Sequence, residues 1–369
     1  MSDQRIVTAS KIFTGKVWLE DQVIVTQNNI VKEIVPLSSL GTGTAVESFK
    51  NCMLVPAFID IQLYGAYEKL LAVFPDSGSL QKIKEYGLNG GAVYSCPTVA
   101  TNSSEIFHRC IDAIRQYWKE GGGGVLGLHL EGPWINKEKR GAHSIEFIHA
   151  PSVDEVKKLL DYGKDVIKII TLAPEVCSKE VIDLILSYNI IISAGHSNAT
   201  YQEAINGFKN GITCVTHLYN AMSPLQHRAP GLVGAAMDHG HVMTSIIPDG
   251  YHVDYAALRI AKEAMTDRLF AITDTVAETK EGLYLHHLEG DKYVSKGILS
   301  GSALNMVKGL QNLVTHAGIN LDEALRMCSY YPAKAMKLDK KLGLIEKGYS
   351  ACFTILNEKL EVQKVITDY

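Results

Sequence analysis

The chain has 369 residues, more than one small domain needs, and 46% of them are hydrophobic against 21% charged, which excludes a disordered chain. Lys and Arg number 36 and Asp and Glu 40, a formal net charge of −4, so no basic field exists to draw in nucleic acid or an anionic membrane. No apolar stretch approaches the roughly 20 residues of a membrane helix. Residues 1–15 lack the basic-then-apolar pattern of a secretory signal, so a cytoplasmic location is expected.

Residues 4–13, 16–19, 23–26 and 30–36 read as short strands, broken by Gly15, Asp21 and the pair Asn28 and Asn29. Residues 351–356 and 363–366 read likewise. The two ends are expected to pair into a small β-sandwich domain, residues 1–52 and 345–369, beside a larger unit at 53–344. In that unit eight apolar runs stand out, at 57–63, 91–97, 124–131, 166–173, 190–196, 213–218, 243–249 and 269–274. They are rich in Val and Ile and do not alternate with polar residues, the pattern of strands buried on both faces. Amphipathic stretches such as 153–160, 178–187, 201–209 and 254–265 lie between them. Eight β–α units predict an α/β fold, a distorted TIM (β/α)8 barrel; an open doubly wound sheet is the alternative. The seven cysteines, Cys52, Cys96, Cys110, Cys177, Cys214, Cys328 and Cys352, are scattered and never spaced C-x-x-C, which predicts free thiols.

The polar residues stand at the ends of the runs. The third ends in His129-Leu130-Glu131-Gly132-Pro133, the fifth in Ala194-Gly195-His196-Ser197 and the sixth in Thr216-His217-Leu218. The seventh ends in Asp249-Gly250-Tyr251-His252 and the eighth in Thr273-Asp274. In a parallel barrel the carboxyl ends of all strands open on the face that holds the active site. Glu131, His196, His217, His252 and Asp274 are therefore expected to converge. One histidine at a strand end is more often structural than a ligand, but independent accidents do not place five such residues on one face. Two imidazoles and one carboxylate suit zinc or a similar divalent ion and leave a position open for water. A carboxylate beside the ion can carry the water's proton, and Asp274 is the candidate for that general base and acid.

At these residues the sequence resembles the amidohydrolase superfamily and, within it, the N-acetylglucosamine-6-phosphate deacetylase family. The stretches that carry the resemblance run in order along essentially the whole chain. They are His129-Leu130-Glu131-Gly132-Pro133-Trp134, Lys139-Arg140-Gly141-Ala142-His143, Gly195-His196-Ser197-Asn198-Ala199-Thr200 and His217-Leu218-Tyr219-Asn220-Ala221-Met222. Pro230-Gly231, Asp249-Gly250-Tyr251-His252, Thr273-Asp274 and Leu299-Ser300-Gly301-Ser302 complete the set. The resemblance implies that Glu131, His196 and His217 bind one divalent metal ion per subunit, zinc first, with iron, manganese or cobalt also tolerated by this ligand set. It implies that Asp274 is the catalytic acid and base. Ala142 and His143 match substrate-binding positions, His143 near the scissile amide. Asn220 and Ala221 match contacts to the substrate phosphate, and Arg228 and His252 further substrate contacts. Leu299, Ser300 and Gly301 match a loop near the acetyl group. A homodimer is implied, with some substrate contacts supplied by the partner subunit. The implied reaction is hydrolysis of the N-acetyl group of N-acetylglucosamine 6-phosphate. N-acetylgalactosamine 6-phosphate or another N-acyl compound is the alternative substrate. A non-catalytic sugar-phosphate binder has no use for Asp274.

Two segments depart from the family pattern. Many amidohydrolases carry His-x-His at the end of the first strand, for a second metal. Gln62 and Tyr64 stand there instead, so a single-metal site is expected. The loop after Asp274, residues 275–284, lacks the usual Ala-Pro-Gly run, and it borders the expected site.

Overall fold

The computed structural model describes residues 4–367 and 369. Eight strands form one parallel sheet in sequence order. They are β1 (Phe58–Leu63), β2 (Ala92–Ala100), β3 (Leu128–Glu131), β4 (Ile167–Leu172), β5 (Ile191–Ala194), β6 (Cys214–Val215), β7 (Met243–Ile246) and β8 (Leu269–Ala271). All eight expected runs are therefore strands, and the doubly wound alternative is excluded by the sequential order. The barrel is nearly closed. Between β8 and β1 the ladder reduces to a bridge of Leu63 with Thr275, and to Asp274 N–H and Tyr64 N–H bonding the carbonyls of Gln62 (2.9 Å) and Thr275 (2.8 Å).

Asp60, buried on β1, completes that seam. Its Oδ2 accepts the Thr273 hydroxyl at 2.5 Å and its Oδ1 the Thr273 N–H at 3.3 Å. Burial pushes its carboxyl up to about 7, against the hydrogen bonds from Thr273. A folded-state value above the unfolded one means that the folded chain holds the extra proton between about pH 4 and 7. Asp60 thus subtracts stability as pH rises through that window, by up to about 4 kcal/mol. Asp60→Asn keeps an acceptor for the N–H and offers the Thr273 oxygen a donor. Its stability relative to wild type is expected to climb from pH 4 to pH 7 and then level off, as urea melts across that range would measure.

The helices that cover the barrel begin where the sequence offers a cap. Asp76, Ser103, Ser152, Ser178, Thr200, Asp254 and Asn305 each accept a backbone N–H from the first turn of the helix that follows. Thr200 and Glu203 cap each other reciprocally. After β8 the chain does not enter a helix directly. It forms a three-stranded antiparallel sheet from His287–Glu289, Lys292–Ser295 and Ile298–Ser302 before reaching Met306–Thr315.

The chain ends meet in a second, seven-stranded sheet. Its order is Val362–Ile366, Phe353–Asn357, Glu47–Pro56, Gln4–Phe13, Gln22–Gln27 and Ile30–Pro36, with Trp18–Leu19 paired to Gln4–Phe13. Val7, Ile12, Ile24, Leu54, Phe353 and Ile355 form its buried core. The central strand, Glu47–Pro56, lies parallel to the first strand and antiparallel to Phe353–Asn357. Among the described residues the cysteines form no disulfide, and five of the seven are buried.

Candidate active site

The site grows from the way three barrel strands stop. β5, β6 and β8 end at Ala194, Val215 and Ala271, and the functional side chain follows two or three residues later. There His196, His217 and Asp274 take left-handed backbone conformations, with φ of 47°, 35° and 56°. Such conformations cost a non-glycine residue roughly 1–3 kcal/mol and persist where the surroundings over-determine them. Here the surroundings are backbone bonds: Asn136 N–H to His196 O (2.8 Å), Asn220 N–H to His217 O (3.0 Å) and Ser302 N–H to Asp274 O (3.0 Å). Each turn swings its side chain over the barrel mouth.

Glu131 sits at the end of β3 and is 1% exposed. Its Oε1 lies 3.1 Å from His217 Nε2 and 3.3 Å from His196 Nε2, and the two imidazole nitrogens are 3.1 Å apart. Three donors at those separations are corners of a tetrahedron whose centre is about 2 Å from each, the zinc–nitrogen and zinc–oxygen distance. The donor chemistry fits as well. His196 Nδ1–H bonds Lys139 O at 2.9 Å, which fixes the tautomer and turns a lone pair on Nε2 towards Glu131. Burial opposes ionisation of Glu131. The neighbouring imidazoles, His196 first, nonetheless hold its carboxyl well below the ordinary range. His129, two residues earlier on the same inward face, is no part of this group: its ring bonds Ile61 O (3.1 Å) and Thr171 Oγ1 (2.7 Å) inside the barrel.

Glu131, His143 and His196 also bring donor atoms within 4.8 Å of one another. The hydrogen bonds give His143 a different part. Its Nδ1 receives the Thr101 backbone N–H (3.4 Å) and lies 2.7 Å from the Thr101 hydroxyl. A nitrogen that accepts an N–H carries no proton, so the proton is on Nε2, 3.1 Å from Glu131 Oε2. Burial, with the charge of His196, pushes His143 down to about 4, so the ring is a neutral donor. Asp274 is buried beside this group, and burial pushes it above the ordinary carboxylate range against the pull of His217.

Glu131, His143, His196, His217 and Asp274 all line one cavity of about 170 Å³. Ala142, Asn220, Ala221, His252, Leu299, Ser300 and Gly301 line it too. His252 is held by Asp249, whose Oδ2 is 2.6 Å from its Nδ1. Arg228 is not brought to the cavity of its own chain. It is exposed in a turn closed by Gln226 and Ala229.

Gln62 and Tyr64 do more than occupy the positions of two absent histidines. Gln62 Nε2 donates to Glu131 Oε1 (2.9 Å) and to Asp274 Oδ1 (3.0 Å), tying the two carboxylates together. The Tyr64 hydroxyl donates to Glu131 Oε2. Their signal was in the sequence: Asp60, Gln62 and Tyr64 alternate with apolar residues at i, i+2 and i+4, so their side chains face the same interior. Tyr64→Phe removes one of the bonds that orient Glu131. Metal affinity is expected to fall about 10–100-fold, with kcat largely kept at saturating metal; competition with a chromogenic chelator would measure it.

The sequence profile of the amidohydrolase family matches residues 53–368. The chain belongs to the amidohydrolase family. A curated relative of this amidohydrolase, the N-acetylglucosamine-6-phosphate deacetylase of Haemophilus influenzae, is 33% identical over 95% of this chain and 94% of its own length. The N-acetylgalactosamine-6-phosphate deacetylase of Escherichia coli O157:H7 is 29% identical over 98% of this chain and 97% of its own. Among solved structures, that of N-acetylglucosamine-6-phosphate deacetylase from Pasteurella multocida superposes with a TM-score of 0.93. It is 34% identical and covers 99% of this chain and 98% of its own. Among the described residues of this amidohydrolase, no helix is long and apolar enough to cross a membrane.

Proposed function

We propose that the protein hydrolyses the N-acetyl group of N-acetyl-D-glucosamine 6-phosphate, giving D-glucosamine 6-phosphate and acetate. One observation carries the chemistry: a buried carboxylate, Asp274, shares a cavity with a carboxylate and two imidazoles whose Oε1 and Nε2 atoms lie 3.1–3.3 Å from one another. Likeness to the Haemophilus and Pasteurella proteins along nearly the whole chain supports the substrate.

Glu131, His196 and His217 would hold one divalent cation, zinc in our reading, with iron, manganese or cobalt as substitutes. When bound, such an ion supplies a Lewis acid and lowers the pKa of water towards ~7. Asp274 accepts the proton of the attacking water as the new C–O bond forms. His143 Nε2–H, which bonds Glu131 Oε2 in the free protein, turns to the carbonyl oxygen as negative charge develops there. Asp274 then returns the proton to the amide nitrogen as the C–N bond breaks, so that the amine leaves neutral. Asn220, Ala221 and His252 bind the sugar phosphate, with Ala142 beside His143, and Leu299, Ser300 and Gly301 border the acetyl group. Arg228 belongs to the phosphate site of a second copy in a homodimer, which fits its exposure outside its own cavity. We assign residues 1–52 and 345–369, of which 1–3 and 368 lie outside the described residues, to a small β-sandwich domain beside the barrel domain at 53–344, and place the enzyme in the cytoplasm.

Acetate release by protein of known metal content tests the reading. Release is expected from N-acetylglucosamine 6-phosphate and not from the unphosphorylated sugar, with about one metal per chain. The resemblance to the Escherichia coli relative gives a second reading, the galacto epimer. A higher kcat/KM for N-acetylgalactosamine 6-phosphate would replace the first reading with the second. No release from either overturns both.

A further inference from the structure

The loop that departs from the family pattern builds one wall of the cavity. Tyr284 anchors it: its hydroxyl donates to Thr101 O, beyond β2, and accepts the Ser144 N–H at 3.3 Å. The Tyr284 ring packs with Tyr64, Leu70 and Val276. His286 follows, 4% exposed, its ring nearly parallel to that of Tyr284 (12°, centroids 6.2 Å apart) and edge-on to Tyr293 (6.5 Å). Its Nδ1 lies 2.8 Å from Ser300 Oγ.

Those contacts fix the ring but use only one of its nitrogens. Among the described residues Nε2 has no hydrogen-bond partner, and it is not sealed in the core, because the residue lines the cavity. Burial pushes the imidazole down to about 4, so it is neutral at ordinary pH and suits an uncharged partner. The surrounding wall is apolar, formed by Leu70, Ala72, Val276 and Tyr284. A purely architectural histidine accounts for the bond to Ser300. It leaves Nε2 accessible and unpaired in a residue that lines the cavity, open to a ligand.

We propose that His286 is a specificity-determining residue whose Nε2 hydrogen-bonds a ring hydroxyl of the amino sugar. The inference rests on the substrate reading given above. His286 meets the cavity beside Ser300, on the loop that borders the acetyl group, and the C1 and C3 hydroxyls flank the ring carbon that carries the acetamido group. One neutral nitrogen matches one hydroxyl.

The test compares wild type with His286→Phe, which keeps a flat ring against Tyr284, and His286→Gln, which keeps a polar end. Acetate release is followed from N-acetylglucosamine 6-phosphate and from its 1-deoxy, 3-deoxy and 4-deoxy analogues. His286→Phe is expected to raise KM about tenfold, the loss of one hydrogen bond, with kcat within about twofold, and His286→Gln to recover part of it. On the one analogue that lacks the contacted hydroxyl, wild type and His286→Phe should become equal. A KM unchanged in His286→Phe, or a defect that persists on every analogue, overturns the assignment. Should His286→Phe show no cooperative melt, His286→Gln is judged on the same panel by the same criterion. A wild type that releases no acetate from the parent compound overturns the substrate reading and this assignment with it. A wild type that does, with kinetically normal variants, overturns this assignment alone.

Discussion

Replacing Asp274 by Asn is expected to lower kcat by about 10³–10⁴-fold, the upper part of the range for general acid–base catalysis, while the protein still binds its metal. The substitution suits the position. The backbone there is left-handed, at φ 56°, which Asn tolerates better than most residues. The side-chain oxygen of Asn can accept the Gln62 Nε2–H as Asp274 Oδ1 does, and the backbone bonds to Gln62 and Ser302 are unaffected. What is lost is the proton acceptor. The pH profile carries the same signature. A base works ionised, and burial raises the pKa of Asp274, so kcat/KM in wild type should fall on the acid side through a midpoint above the ordinary ~4 of Asp. Asp274→Asn should abolish that limb. Acetate release and elemental analysis of the same sample decide the matter. A fully metallated variant within tenfold of wild type would remove Asp274 from the mechanism.

Stripping the metal with a chelator is expected to reduce turnover by at least about 10³-fold, and one equivalent of zinc to restore it. The melting temperature should drop by a few degrees on stripping, because a ligand that binds only the folded state stabilises it by mass action. Glu131→Gln should fail in both respects and not recover on adding metal. Around the carboxylate stand Gln62 Nε2 and the Tyr64 hydroxyl, which donate to it, and His143 Nε2, which carries a proton. An amide NH₂ in place of either oxygen faces a donor with a donor, leaving a buried polar group unpaired at about 1–3 kcal/mol. Calorimetric zinc titration of wild type and variant would measure the difference.

The barrel was legible because strands buried on both faces cannot alternate, and continuous Val- and Ile-rich runs such as 166–173 and 190–196 have few other readings. Their ends were legible only in part. His196, His217 and Asp274 continue the runs in sequence but leave the strands in space; the turns at His217 and Asp274 carry no glycine to announce the break, and only Gly195 before His196 does. The tripod could be read because several His and acidic residues close successive apolar runs, and a parallel barrel opens all those ends on one face. Gln62 and Tyr64 could be read as poor metal ligands, yet their hydrogen bonds to Glu131 and Asp274 depend on the closure of β8 against β1. His286 was silent: Leu285 and His287 beside it are exposed, and only the fold of the antiparallel sheet after β8 tells one histidine from the next. The strand Glu47–Pro56 was hidden for another reason. Its first half lies at the surface and is polar, and only Leu54, Val55 and Pro56 are buried.

The seven-stranded sheet sets a schedule for synthesis. Its central strand, Glu47–Pro56, borders Phe353–Asn357, about 300 residues downstream. At roughly 5–20 residues per second, a ribosome delivers that neighbour some 15–60 s after the first strands emerge. For that interval one side of Glu47–Pro56 presents unpaired backbone groups beside Leu54 and Val55, the kind of edge that other chains can join. The barrel seam waits as well, since β1 must hold its place until β8 is made. The two ladders with the longest reach in sequence thus wait longest for their second strand, and the edge at Glu47–Pro56 stays open until the final strands arrive.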